Sequence, residues 1–201
     1  MIDVTDKGPV RTLRIDRPGK ANALTAAMLR DLASATQSAP GHVLILTGTG
    51  RTFSAGADLD EMSRGLATDP AWEGLSSAIA AFPGLSIAAL NGTLAGGAFG
   101  MAIASDLRVA ADHAAFFYPV MRLGYLPQPS DPARLAALVG SGVARRLLLC
   151  AERLNADEAL AAGLVDKVVP ADDVLSTASS LAEAALAASP AHVAAIKGML
   201  Q

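Results

Sequence analysis

The chain has one cysteine, no run of like charge and no long apolar stretch, and each shortage removes a class of protein. With Cys150 alone, neither a disulfide nor a cysteine-based metal site can form within one chain. Its setting, "RRLLLCAE", is an apolar helical run in which a buried free thiol is expected. The 16 Lys and Arg and the 19 Asp and Glu are interspersed, leaving a net charge of -3 and no basic stripe to follow a phosphate backbone. Nucleic acid is therefore not an expected partner. "MIDVTDKGPV" has neither a basic nor an apolar leader segment, and no apolar run approaches the roughly 18 residues that span a bilayer. The expectation is a cytoplasmic protein that engages no membrane, and no metal-ligand set is read.

What is present is an alternation of short β-branched segments with longer alanine-rich helical ones, the pattern of an α/β chain. At 201 residues it is expected to be one domain, residues 1–201. Residues 11–15 alternate as a half-buried strand, and "RPGKAN" then turns into a helix opened by Thr25 and carrying Met28, Leu29 and Leu32. "HVLILTG" (42–48) predicts a strand buried on both faces, followed by strands at 86–92 and 106–112. The core is expected to reach about residue 128. From about 129 to 201 helical segments follow one another, "DPARLAALVG", "GVARRLLLCAE", "NADEALAAG" and "DVLSTASSLAEAALAAS", broken only by a short strand at 164–169. No linker separates this helical C-terminal region from the core.

Two loops carry the chemistry. "RTFSAGADLDEM" leaves the buried strand and enters a helix near Asp58. Its Ser54, Ala55, Gly56 and Ala57 are small enough for backbone to approach a ligand, and the first N–H groups of a helix have no partner within it. Asp58 reads most simply as a helix-start residue. "NGTLAGGAFGMAIASD" repeats the arrangement with Gly96-Gly97 at the mouth of an apolar helix. Two amide-presenting loops can converge on one atom, which is the geometry of an oxyanion hole, with the Gly97 N–H in the first helical turn.

Together "RPGKANALTAAML", "VLILTGTGRTFSAGADLDEM", "NGTLAGGAFGMAIASDLRVAAD", "LGYLP" and "LNADEALAAGLVDKVVP" resemble, in order and spacing, the motifs of the enoyl-CoA hydratase/isomerase (crotonase) superfamily. The resemblance implies a spiral of ββα units with a helical C-terminal region that drives homotrimer or dimer-of-trimers assembly. It implies an acyl-CoA thioester as substrate, coenzyme A entering as part of it and no separate cofactor. The thioester oxygen would rest on the backbone amides of Ala57 and Gly97, and CoA would lie along Lys20, Ala21, Ala23, Ala55, Asp58 and Leu59. Gly96, Gly100, Tyr118, Val120 and Met121 complete the expected substrate contacts. In the family, further helices commonly follow the point reached by "AAIKGMLQ" and complete a neighbouring subunit's CoA pocket.

The departures are as informative as the matches. The family's two hydratase glutamates fall on Gly100 and Val120, neither of which can move a proton. Residue 100 lies three beyond Gly97, on the same helical face. Among other polar groups, Gln128 is an amide and no base at neutral pH, and Asp131 before a proline reads as a helix start. His113 is expected in an exposed turn, and Tyr118, sharing a strand face with Val120, is the best polar candidate. The expected function is thioester-enolate chemistry of lyase or isomerase type without the glutamate pair. The alternatives are a non-catalytic acyl-CoA-binding homologue, or a decarboxylase or thioesterase branch member that needs less acid–base equipment.

Overall fold

The computed structural model describes residues 1–200. Strands β1 (Ile2–Lys7) and β2 (Val10–Ile15) form a hairpin, and helix α1 (Ala26–Gln37) follows, its first turn capped by the Thr25 side chain, which accepts from the Met28 amide. Strand β3 (Val43–Gly48) runs parallel to β2, and β4 (Thr52–Ser54) then leaves for a second sheet. Helices α2 (Leu59–Met62) and α3 (Ala71–Ala80) close that turn of chain. The pattern repeats with β5 (Leu85–Leu90), β6 (Thr93–Ala95) and α4 (Phe99–Ala104). It repeats again with β7 (Leu107–Ala111), β8 (Ala115–Phe117), α5 (Val120–Leu123) and α6 (Asp131–Leu148). The chain closes with β9 (Arg153–Asn155), α7 (Ala156–Ala161), β10 (Lys167–Val169), α8 (Val174–Ala187) and α9 (Pro190–Gly198).

In each repeat the first strand joins one sheet and the second joins the other, which makes the chain a spiral of ββα turns. Among the described residues the larger sheet has the order β1-β2-β3-β5-β7-β10 and the smaller β4-β6-β8-β9. All six residues of β3 are buried, as its unbroken apolar run predicts, because a hydrophobic core lies on each side of the larger sheet. Leu44 and Leu46 face α1 and α3, whereas Val43 and Ile45 face Val174, Ala178 and Ala182 of α8. Strand period two thus divides one run of sequence between two cores.

Several expectations are corrected. The C-terminal region holds two strands rather than the one expected, since β9 pairs with β8 and β10 with β7. The strand expected at 164–169 begins at Lys167, because Leu164 and Val165 turn into the core. "DPARLAALVG" and "GVARRLLLCAE" form one helix broken at Gly140, whose φ of 73° and ψ of 160° are not helical. Cys150 is exposed, because α6 ends at Leu148 and the thiol falls in the turn beyond it. His113 is half-buried, its Nδ1 3.4 Å from Asp112 and its buried Nε2 without a partner among the described residues. None of the described helices is long and apolar enough to cross a membrane.

Candidate active site

The first loop is held from outside by the "RPGKAN" turn. Asn22, fully buried with φ of 55°, donates from Nδ2 to the Thr49 and Thr52 carbonyls, and its Oδ1 accepts from the Arg17 amide. Ser54 Oγ donates to the Asn22 carbonyl and accepts from the Gly56 amide. Leu24 then forms a parallel bridge with Ala57: its N–H donates to the Gly56 carbonyl and its carbonyl accepts from the Asp58 N–H, both at 2.8 Å. Because backbone groups alternate along extended chain, the Ala57 N–H between those two bonds is turned to the opposite side. Asp58 accepts from the Asp60 and Glu61 amides and from Arg17 Nη1 at 2.6 Å, as its helix-start reading predicts. The Arg17 hydrogen bond holds its carboxyl below the usual carboxylate range.

The second loop meets the first through two glycines. Gly56 has φ of +92° and Gly96 φ of +56°, conformations that side chains disfavour. A Cβ on Gly56 would lie 2.9 Å from the Ala95 carbonyl oxygen and 3.3 Å from Gly96 Cα, so the two backbones are in direct contact there. One residue past each glycine sit Ala57 and Gly97, and neither amide donates to a protein acceptor among the described residues. Gly97 lies in a 3-10 turn, Gly96–Ala98, that runs into α4. Its missing side chain makes room for Trp72 of α3, whose ring carbons lie 3.1 to 3.2 Å from where a Cβ would be. Trp72 is fixed by its Nε1 donating 2.9 Å to the Leu66 carbonyl.

A cleft opens between these loops. It brings together Ala55, Ala57, Leu59, Gly96, Gly97, Tyr118 and Val120 of the expected site residues. Trp72 and Gln128 also line it, and no charged side chain does among the described residues. Lys20 and Ala21 are exposed on the adjoining turn, Lys20 Nζ 3.7 Å from Asp60 Oδ2. Ala23 and Asp58 are buried outside the cleft lining, and Met121 is 54% exposed and also outside it. Tyr118 and Val120 both reach the cleft, though not by strand alternation, since β8 ends at Phe117 and Val120 begins α5. Among the described residues no cluster of three or more His, Cys, Asp or Glu is placed to hold a metal.

Gly100 does not leave a hole. It is buried in α4, and a Cβ there would lie 3.0 and 3.4 Å from the two carboxylate oxygens of Asp131. Asp131 begins α6 but caps nothing; its side chain turns inward, fully buried, to accept a 2.7 Å hydrogen bond from Tyr118 Oη. Its other oxygen, Oδ1, has no partner among the described residues. Burial pushes this carboxyl up to about 6, against the Tyr118 hydrogen bond and Arg134, which favour the ion. The Tyr118 phenol is pushed up as well, by burial and then by Asp131. Tyr118 stacks on Phe99 with ring centroids 5.2 Å apart. Nearby, Glu73 accepts from the Ser130 amide and hydroxyl and from Ser77. Burial raises the Glu73 carboxyl, but these hydrogen bonds outweigh it and hold the group low.

The sign of the Asp131 shift gives a stability prediction. An unfolded aspartate titrates near about 3.9, so the folded chain binds this proton more tightly and stability falls as pH rises from about 4 to about 6. Asp131→Asn removes the ion and keeps an acceptor for Tyr118. The variant is expected to match the parent near pH 4 and to exceed it at pH 8 by roughly 1–3 kcal/mol in urea unfolding.

Asn22, Asn91, Trp72 and Glu73 escaped the sequence reading, as did the placement of Asp131. Asn91 leaves β5 and ties the loops from behind, accepting from the Gly48 amide and donating to the Gly50 and Thr52 carbonyls. An Asn in the turn "RPGKAN" and another beside Gly in "LNG" were the available signal. For Asp131 there was none, because a local helix-start pattern hid a tertiary partner.

The chain is similar to known proteins in sequence and fold. A carnitinyl-CoA dehydratase of Salmonella arizonae is 34% identical over 208 residues, covering 96% of this chain and 77% of the relative. The structure of DspI from Pseudomonas aeruginosa superposes with a TM-score of 0.91 at 32% identity, over 100% of this chain and 80% of that one. An enoyl-CoA hydratase from Bacillus anthracis superposes with a TM-score of 0.90 at 30% identity, over 99% and 81%. The sequence pattern described as enoyl-CoA hydratase/isomerase matches residues 5–201. With that match, the ββα spiral and the paired small-residue loops, the chain belongs to the enoyl-CoA hydratase/isomerase family.

Proposed function

We propose that this protein binds an acyl-CoA thioester with its carbonyl oxygen on the Ala57 and Gly97 amides and carries out enolate chemistry of lyase or isomerase type. The observation that carries this reading is the pair of unpartnered amides, each one residue past a glycine at which the two loops touch. Donors fixed where negative charge develops are each worth about 3–4 kcal/mol in a transition state. The backbone contact between the loops supports such fixing, since neither loop can shift without the other. Gly100 and Val120 stand where the two hydratase glutamates are expected, so this enzyme works without that pair.

The acyl group we assign is uncharged. A carnitinyl group, which the Salmonella relative's name specifies, carries a quaternary ammonium, and no acidic side chain lines this cleft among the described residues. A second reading, an acyl-CoA-binding protein without turnover, is favoured by the same uncharged lining. Butyryl-CoA tests the binding step. Calorimetry is expected to give a micromolar or tighter Kd, and infrared difference spectra of carbonyl-labelled thioester a downshifted C=O stretch on binding. No heat with acyl-CoA of any chain length would end the proposal.

A further inference from the structure

Resting on the thioester reading above, we propose that Tyr118 is the proton carrier of this site and that Asp131, acting through it, is the residue that positions and charges it. Tyr118 lines the cleft, and the backbone N–H of Gln128, also in the lining, donates to Tyr118 Oη at 3.4 Å. Behind that wall, outside the cleft lining, Asp131 receives the phenol's proton bond at 2.7 Å. The carboxylate lies against Gly100, the position at which the resemblance places an acid–base glutamate. The space of a missing side chain on α4 is thus occupied by a carboxylate from the start of α6.

A purely structural role explains this arrangement poorly. A fully buried carboxylate with one oxygen unpartnered is costly, and neither the start of α6 nor Gly100 requires it. The groups facing it are few. Arg134 is on its own helix and bonds Ser76 Oγ, Glu73 on α3 is occupied by Ser130 and Ser77, Tyr118 follows β8, and on α4 Gly100 brings no side chain. The acceptor is therefore free to take a proton, and the hydrogen-bonded phenol is the group that can pass one on. Strained or costly polar features of this kind concentrate at functional sites.

The step balances as follows. The Cα–H bond of the bound thioester breaks and its proton goes to Tyr118 Oη while the phenol's own proton passes to Asp131 Oδ2. The C–H electron pair becomes the Cα=C bond of the enolate, and the carbonyl π pair moves to the oxygen held by the Ala57 and Gly97 amides. Return of the proton restores the thioester, and while the enolate stands the carried proton trades with solvent.

Butyryl-CoA, saturated and with nothing to eliminate, isolates this step. In D2O the wild-type protein is expected to place deuterium at Cα, followed by mass spectrometry, with a rate that rises through about pH 6 as the positioning carboxyl ionises. Tyr118→Phe is expected to exchange at least about 100-fold more slowly with a butyryl-CoA Kd within about threefold. Asp131→Asn is expected to bind equally, exchange at least about tenfold more slowly and lose the pH dependence, which a merely structural aspartate would not govern. Exchange in Tyr118→Phe within threefold of wild type overturns the proposal, as does a wild-type protein that binds butyryl-CoA and exchanges nothing. Absence of binding and of the carbonyl shift ends the thioester reading itself.

Discussion

Crotonyl-CoA added to the purified protein is expected to keep its enoyl-thioester absorbance, with hydration at least about 10⁴-fold slower than in a relative that carries both glutamates. Each positioned acid or base contributes about 10²–10⁴-fold, and neither Gly100 nor Val120, where the resemblance places the two glutamates, can move a proton. On the proposed reading Tyr118 and Asp131 serve the α carbon, but among the described residues no charged group lines the cleft to hold and activate a water for the β carbon. Rapid loss of the absorbance would show an acid that the geometry does not contain. Restoring the pair must follow the packing. Gly100→Glu alone drives a Cβ to within 3.0 Å of Asp131 Oδ1 and sets two carboxyls side by side in a buried site, so it is expected to destabilise strongly. Adding Asp131→Ala vacates that space, so the two substitutions are expected to be far from additive in unfolding free energy. With Val120→Glu as well, measurable hydration should emerge. Additive single and double effects would show that Asp131 does not occupy the place of the missing glutamate.

The second large effect is expected at Gly56. A Cβ there lies 2.9 Å from the Ala95 carbonyl oxygen, a backbone atom held in β6, and the residue must also keep φ of +92°. Left-handed backbone costs a residue with a side chain about 1–2 kcal/mol, and overpacking adds about 1–3. Gly56→Val is therefore expected to lower stability by roughly 2–5 kcal/mol and Tm by roughly 5–15 °C. Its larger consequence is for binding, because the only relief is to part the loops and carry the Ala57 amide away from the Gly97 amide. Butyryl-CoA affinity is expected to fall at least about 100-fold in the fraction that folds. A variant that melts early yet binds normally would show that the two amides do not act together. Gly65→Val is the control, since its φ is also positive, +99°, and nothing among the described residues lies within 4 Å of where its Cβ would be.

The parts of this molecule that were legible in the sequence are those whose pattern is local. The apolar run of β3, the Thr25 cap and the small-residue loops each declare themselves within a few residues. What stayed hidden depends on partners far along the chain. Strands of three residues, such as β4, β6, β8 and β9, are too short to show a period, and the hairpin strand β1, largely exposed, carries no apolar run. Asp131 is the clearest case. Its neighbours Ser130 and Pro132 spell a helix start, and only the arrival of Tyr118 and the emptiness of Gly100 turn its carboxylate inward. Likewise nothing around Gly100 in the sequence points to the carboxylate packed against it, because Asp131 lies 31 positions later in the chain.

The return of β9 and β10 to the two sheets has a consequence for how the protein comes into being on the ribosome. The seat of Tyr118 is built from β8, which pairs with β9, and from Asp131 at the head of α6, while β7 waits for β10. A nascent chain that has emerged only to β8 holds both small-residue loops yet has an unpaired sheet edge on each layer. Such non-local closures are slow, and open edges invite association. Birth of the site is thus a late event, completed only when residues 153–169 have cleared the exit tunnel, and nascent chains paused before that point are the ones a chaperone would be expected to hold.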